Sequence, residues 1–281
     1  LRTEKVDEVR KEIILALGKL QFPGTGSALT AVLRAKTTSD YIKKVSIETL
    51  GKSNEGNQTI QAIIGNLSSV NPEICQAASE ALIHLNDRFP LLVVPGLSKN
   101  LLRAKDKSTL IYGTGVLSRL ADESSVNTLI SLLSSPYAEV KKNATWGLFR
   151  IRSSANPRIA EELNKLANNE AESLPVRINA VRALGAIRYD DSKTRVWKSL
   201  VNISKLRSEK YYMLRYFAIE ALGEMGQPYP EVISTLSGIA LRETDPEISM
   251  QAVQSIQKLA VKSEISESAL VKLFKKSENP D

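Results

Sequence analysis

A phrase of apolar residues returns eight times along this chain, and no other feature constrains its folding as strongly. It opens with Val9-Arg10 and closes with Ala16-Leu17-Gly18-Lys19-Leu20. It returns as Ile42-Lys43 to Thr49-Leu50-Gly51, and as Ile74-Cys75 to Ala81-Leu82-Ile83-His84-Leu85. A degenerate copy joins Thr109 to Val116-Leu117 and Leu120. Val140-Lys141 to Gly147-Leu148 and Ile151 comes next, then Val176-Arg177 to Ala183-Leu184-Gly185 and Ile187. The last two are Leu214-Arg215 to Ala221-Leu222-Gly223 and Met225, and Ile248-Ser249 to Ser255-Ile256 and Leu259. Starts near 9, 42, 74, 109, 140, 176, 214 and 248 give spacings of 33, 32, 35, 31, 36, 38 and 34 residues. Repetition at this period marks a stacked array, because each unit buries its apolar face only against its neighbours.

Within a copy the apolar positions fall at 0, +4, +7, +8 and +11, as in Val176, Ala180, Ala183, Leu184 and Ile187. At 3.6 residues per turn these form one stripe, so each phrase is an amphipathic helix. Small residues at +4 and +7, such as Ala78 and Ala81 or Ala180 and Ala183, allow a neighbouring helix to come close. A second helical segment precedes most phrases, at 28–35, 59–67, 126–133, 159–167, 196–203 and 232–240; a lone one follows the last phrase at 268–276. Asn71-Pro72, Ser135-Pro136 and Asp245-Pro246 place a capping residue before a first-turn proline, with Asp7 and Asp40 capping without one. No segment alternates like a strand. The expected fold is all-α: a solenoid of about eight helix pairs wound as a right-handed superhelix, one domain over 1–281.

The order helix, Pro-containing turn, then Asp-x-x-Val-Arg-x-x-Ala-x-x-Ala-Leu-Gly-x-Leu is similar to HEAT repeats. It most resembles the short bacterial type known from phycobilisome lyases, over residues 7–276. With helix spacings of about 8–10 Å, the resemblance implies a curved rod about 70–80 Å long. It does not choose among scaffolds, receptors, nucleic-acid binders and occasional enzymes. The ends are either capped by 1–7 and 277–281 or cut from a longer array; starting at Leu1 without Met favours a removed N-terminal segment.

Composition excludes several kinds of chemistry. The single His84 lies at +10, on the polar side of its helix, and Cys75 sits nine residues before it on the opposite side, so they form no nucleophile–base pair. Cys75 reads as a small packing residue, and one cysteine makes no internal disulfide. The HEAT-like deoxyhypusine hydroxylases hold iron through His-Glu pairs, which this chain lacks. Gly24-Thr25-Gly26 and Gly113-Thr114-Gly115 carry no phosphate-loop motif, and Asp190-Asp191 reads as a solvated turn. The reading is no enzyme, no cofactor and no metal. The longest apolar stretch, 89–97, contains Pro90 and Pro95 and falls far short of the ~20 residues of a membrane helix. No secretory core opens the chain; the cytoplasm is favoured over the periplasm or secretion.

What remains is surface. Net charge is +7, distributed as +2 over residues 1–100, +6 over 101–200 and −1 over 201–281. Positions +2, +6 and +10 face away from the buried stripe, and in arrays of the resembled type they line the concave side. The +6 row reads Leu15, Glu48, Glu80, Gly115, Trp146, Arg182, Glu220 and Gln254. Trp146 is therefore expected to be exposed, with Lys142, Arg150, Arg119 and Arg182 around it and Arg182 able to stack on the indole. These five form the expected partner-binding patch, extended by Arg152 and Arg188 at +12, since Trp and Arg dominate interface hot spots. Trp197 is read as core. The recurring basic residue at +1 (Arg10, Lys43, Lys141, Arg177, Arg215) is read as architectural, paired with turn carboxylates such as Asp7 and Asp40.

The leading expectation is a scaffold that binds a peptide or helix bearing acidic groups. The alternative is nucleic-acid binding, suggested by a pI near 9.3 and by the groove of HEAT-like alkylpurine DNA glycosylases. Glu48, Glu80 and Glu220 on the same row oppose phosphates. A third option, a lyase-like subunit handling a bilin, rests on the shared repeat alone.

Overall fold

The computed structural model describes residues 6–20, 24–35, 37–152, 158–187, 195–260 and 264–278, and the side chains among them as far as Lys275. Among these there is no strand. The eight phrases fold as α1 (Asp7–Leu20), α3 (Asp40–Leu50), α5 (Pro72–Asn86), α7 (Lys107–Leu120), α9 (Ala138–Ile151), α11 (Leu174–Ala186), α13 (Tyr212–Glu224) and α15 (Pro246–Ala260). Between and after them lie α2 (Thr25–Arg34), α4 (Asn57–Gly65), α6 (Pro90–Leu101), α8 (Val126–Leu132), α10 (Arg158–Asn168), α12 (Val196–Ser204), α14 (Pro230–Arg242) and α16 (Glu264–Glu278). The fold is an all-α solenoid.

Two compact units divide the chain, Leu1–Gly147 and Leu148–Asp281. In the first, α1, α3, α5 and α7 pack in sequence as one layer, and α2, α4 and α6 as a second. In the second, α11, α13 and α15 form one layer and α10, α12, α14 and α16 the other. Each core lies between its layers: Ile42, Leu50, Ile63, Ile74 and Leu82 in the first unit, Leu163, Val176, Leu184, Leu214 and Leu236 in the second. Each such side chain contributes about 1.5–3 kcal/mol by leaving water.

The close approach of successive phrase helices has a specific cause. A Cβ on Gly51, at +9, would sit 2.9 Å from the Cα of Ala81, at +7 of the next phrase. Gly185 faces Ala221 at 2.7 Å and Gly223 faces Ser255 at 2.8 Å in the same way. Between α7 and α9 the roles exchange: Gly147 holds +7, where a Cβ would lie 3.1 Å from the Cα of Ser118. The glycine of the Ala-Leu-Gly signature thus lets two backbones touch.

Caps follow the sequence at Asn71 and Asp245 and depart from it at Asp40, Asp7 and Ser135, the last because α9 begins at Ala138, beyond Ser135-Pro136. Asn71 Oδ1 accepts from the Glu73 amide (2.9 Å), with Pro72 in the first turn of α5. Asp106 Oδ1 accepts from Thr109 N (2.8 Å), and Asp245 Oδ1 from Ile248 N (3.0 Å). Ahead of α3 the cap is Ser39, not Asp40, which is the first helical residue and suits the positive end of the helix dipole. Asp7 is likewise inside α1, where it accepts from Ser39 Oγ. The stretch at 89–97, read only as too short for a membrane, opens α6. Pro90 stands in its first turn and Pro95 inside it; the carbonyl that Pro95 leaves unpaired belongs to Leu91, which is 86% exposed and open to water. No described helix is long and apolar enough to cross a membrane.

Candidate functional site

At four of the eight +1 positions, Cys75, Arg177, Arg215 and Ser249, the side chain reaches carbonyls at or just beyond the end of the helix before it. The last carbonyls of a helix lack intrahelical donors. Arg177 Nε donates to Ala167 O (3.0 Å) at the end of α10, and Arg215 Nε to Ser204 O (3.0 Å) at the end of α12. Ser249 Oγ donates to Ala240 O (2.8 Å) near the end of α14. Cys75 Sγ reaches Leu67 O and Ser69 O, both at 3.3 Å, beyond α4. In the first unit Arg10 pairs with Asp7 (3.2 Å) and Lys43 with Asp40 (3.7 Å), but each carboxylate belongs to the first turn of the same helix and not to a turn between helices. In the second unit Arg215 also pairs with Glu243, but its Nε serves the backbone. Arg177 and Arg215 are buried, which is why their guanidiniums seek fixed acceptors; burial also lowers the Arg215 pKa.

No catalytic arrangement emerges from the described residues. Cys75 is fully buried, and that burial pushes its thiol pKa up, away from a reactive thiolate. His84 is exposed on the polar side of α5. Among the described residues no group of three or more His, Cys, Asp or Glu could hold a metal ion. Gly113, inside α7, makes room for Leu101, whose Cδ2 would lie 2.8 Å from an added Cβ; its role is packing. Asp190, Asp191 and Arg188 lie outside the described residues.

The +6 row is exposed or half-buried in all eight phrase helices, as a face opposite the core must be. The five patch residues fall on both sides of the division between Gly147 and Leu148. In the first unit Arg119 is exposed on α7, beside a cavity of about 220 Å³ whose wall includes Glu80, Tyr112, Gly115 and Asn143. Lys142 pairs with Glu139 one turn earlier, so part of its charge is already answered. Trp146 is half-buried, less open than its place in the row suggests.

In the second unit Arg150 is exposed and Arg182 half-buried. The Arg182 guanidinium lies 4.6 Å from the ring centres of both Phe149 and Phe217. This is cation–π packing on two sides, and neither phenylalanine figured in the sequence reading. Phe149 sits at +9 of its phrase, where four of the other seven copies carry glycine, and Phe217 at +3 of α13. An aromatic in place of the signature glycine was the available signal.

Arg182, Phe149 and Phe217 line a cavity of about 540 Å³. Arg152 stands at its margin, 5.8 Å from the Phe149 ring, with a left-handed backbone (φ 54°) that closes α9. Glu220 and Glu224 supply the opposite charge on the same wall; Glu224 pairs with Lys258, whereas Glu220 makes no hydrogen bond or ion pair to a described residue. Trp197 is half-buried and stacks on Tyr229 (5.0 Å between centres, 25° between planes), so it is a flank of the second unit rather than its core.

Residues 126–203 match the family model for HEAT repeats. A crystal structure of an engineered protein shares the fold with a TM-score of 0.59 at 20% identity, covering 96% of this chain and 79% of that one. A second engineered protein, 17% identical with a TM-score of 0.44, covers 83% of this chain and 97% of its own. No curated protein matches the sequence. Fold and repeat together define an α-solenoid. Within that fold, residues 126–203 are similar to HEAT repeats, and the match does not specify the phycobilisome-lyase kind. This fold is typically non-catalytic and is consistent with a scaffold or adaptor role.

Proposed function

We propose that the protein is a non-catalytic scaffold that holds a protein partner along the +6 row. In the second unit Arg182 is the anchoring cation and Arg150 a further contact; in the first unit Trp146, Arg119 and Lys142 are contacts on its own part of the row. The observation that carries the reading is the setting of Arg182. Two phenylalanine rings fix its guanidinium at the wall of a cavity large enough to admit side chains. A cation whose orientation is already fixed loses little freedom on binding, which favours a carboxylate-bearing peptide or helix. Nucleic acid is the poorer fit, because Glu220 and Glu224 line the same cavity and would repel phosphates.

Capture of interacting proteins by the full chain tests this. Arg182→Glu, alone or with Trp146→Ala, should abolish retention of the principal partner while the circular dichroism of the helices is unchanged. Unaltered capture retires the patch. Retention on DNA that falls steeply between about 50 and 200 mM salt would replace the protein partner by a nucleic acid.

A further inference from the structure

α6 is apolar on two sides, and only one of them is covered. Val93, Val94, Leu97 and Leu101 are buried within the first unit. A helix with such a stripe normally turns a polar face to water. Here the opposite side carries Leu91, 86% exposed, and Leu102, 59% exposed, with Pro95 exposed between them. The two leucines stand three turns apart, about 16 Å, and at 100° per residue they point the same way.

The charges around these leucines are all of one sign. From Arg88 to Lys105 the chain holds four cations, Arg88, Lys99, Arg103 and Lys105, and no Asp or Glu. Arg88 is engaged at the end of α3, donating to Gly51 O (2.6 Å) and Lys52 O (3.2 Å). Lys99, Arg103 and Lys105 are exposed, and their side chains make no ion pair or hydrogen bond with a described residue. The neighbours of α6 in its layer extend the pattern: α2 and α4 contain no carboxylate, and Arg34 is their single charge. In the other layer α1, α3 and α5 carry at least two carboxylates each.

We propose that this face of the first unit docks on a membrane surface rich in anionic lipid, with α6 lying in the plane of the interface. Leu91 and Leu102 enter between the headgroups, and Lys99, Arg103 and Lys105 meet the lipid phosphates and carboxylates. The backbone stays at headgroup depth, where water still reaches the Leu91 carbonyl that Pro95 leaves unpaired. Lipid fits this face better than an acidic protein does. A fluid bilayer accepts protruding aliphatic side chains without a pocket shaped for each, and leucine is under-represented among protein hot spots. Nucleic acid would leave the leucines without a role. The site lies on a different layer from the +6 row and does not depend on it.

Flotation of the full chain with lipid vesicles tests this. Phosphatidylcholine vesicles containing about a third phosphatidylserine should carry the protein upward, and pure phosphatidylcholine should not. Raising salt from about 0.1 M toward about 1 M should release most of it, as the screening length falls from ~10 to ~3 Å. Leu91→Ser with Leu102→Ser should weaken vesicle binding roughly tenfold or more, and Lys99→Gln with Arg103→Gln by a similar factor. All four side chains are exposed, so the circular dichroism of the helices should hold. Absence of flotation, equal flotation with both vesicles, or either double variant floating like the wild type would overturn the proposal. Capture of an acidic protein that both double variants lose, with no flotation of the wild type, would assign the face to a protein instead.

Discussion

Single positions of the phrase divide the work between building and binding. Position +9 is glycine where backbones meet, and the contact leaves no space for a methyl group: at Gly185 both the Cα and the Cβ of Ala221 lie under 3 Å from where a Cβ would stand. Gly185→Ala should therefore destabilise the protein by about 1–3 kcal/mol, the usual cost of overpacking, despite alanine's better helix propensity. Urea unfolding checks this, and an unchanged midpoint would contradict the close approach. Position +1 was legible as architectural, but its mechanism was not. A spacing of 10 or 11 residues between an arginine and the carbonyl it caps becomes meaningful only once two helices lie side by side. Arg182 was legible as a candidate from its place in the row. Phe149 and Phe217, which hold it, come from different phrases and share no local pattern with it.

At the scale of helices, the stack is tied together at its turns as well as through its core. Tyr212, the first residue of α13, donates its phenol to Glu247 in the first turn of α15 (2.8 Å), with Asp245 beside it. The hydrogen bond to Glu247 and the two negative charges favour the protonated phenol and push the Tyr212 pKa up to about 12. A folded-state pKa above the unfolded value of about 10 means that this contribution is fully present below pH ~10 and is lost as pH rises toward ~12. Tyr212→Phe should thus narrow the alkaline stability difference, losing stability at neutral pH and little at pH 12. Thermal unfolding across that range measures it; equal losses at both ends would exclude the hydrogen bond as the cause. The helices themselves were largely readable from the 3.6-residue stripe. α6 escaped because two prolines obscure it, and only its exposed first turn makes Pro95 tolerable.

For the whole molecule, stability follows from neighbour contacts, since a stacked array sums local interfaces instead of closing one global core. Protection should accordingly be uneven. α1, with Ile14 as its one buried residue, has far less support than α5, where eight residues are buried. Hydrogen exchange at low concentration should show α1 amides exchanging at least tenfold faster than those of α5 and α11. Uniform protection would mean that the array opens only as a whole. Repetition made this organisation visible in advance, because eight aligned copies expose which positions recur. The two compact units were not visible in it, as no shift in composition marks Gly147 and Leu148.

The helical period, the buried stripe and the outward +6 row follow from the order of residues alone, because they depend on residues within a few turns of each other, and the repeat shows by recurrence. Helix stacking settles why the signature glycine is there, what the +1 side chain caps and which rings hold Arg182. Each of these joins residues about 10 to 40 positions apart, and such a meeting is set by how helices stack.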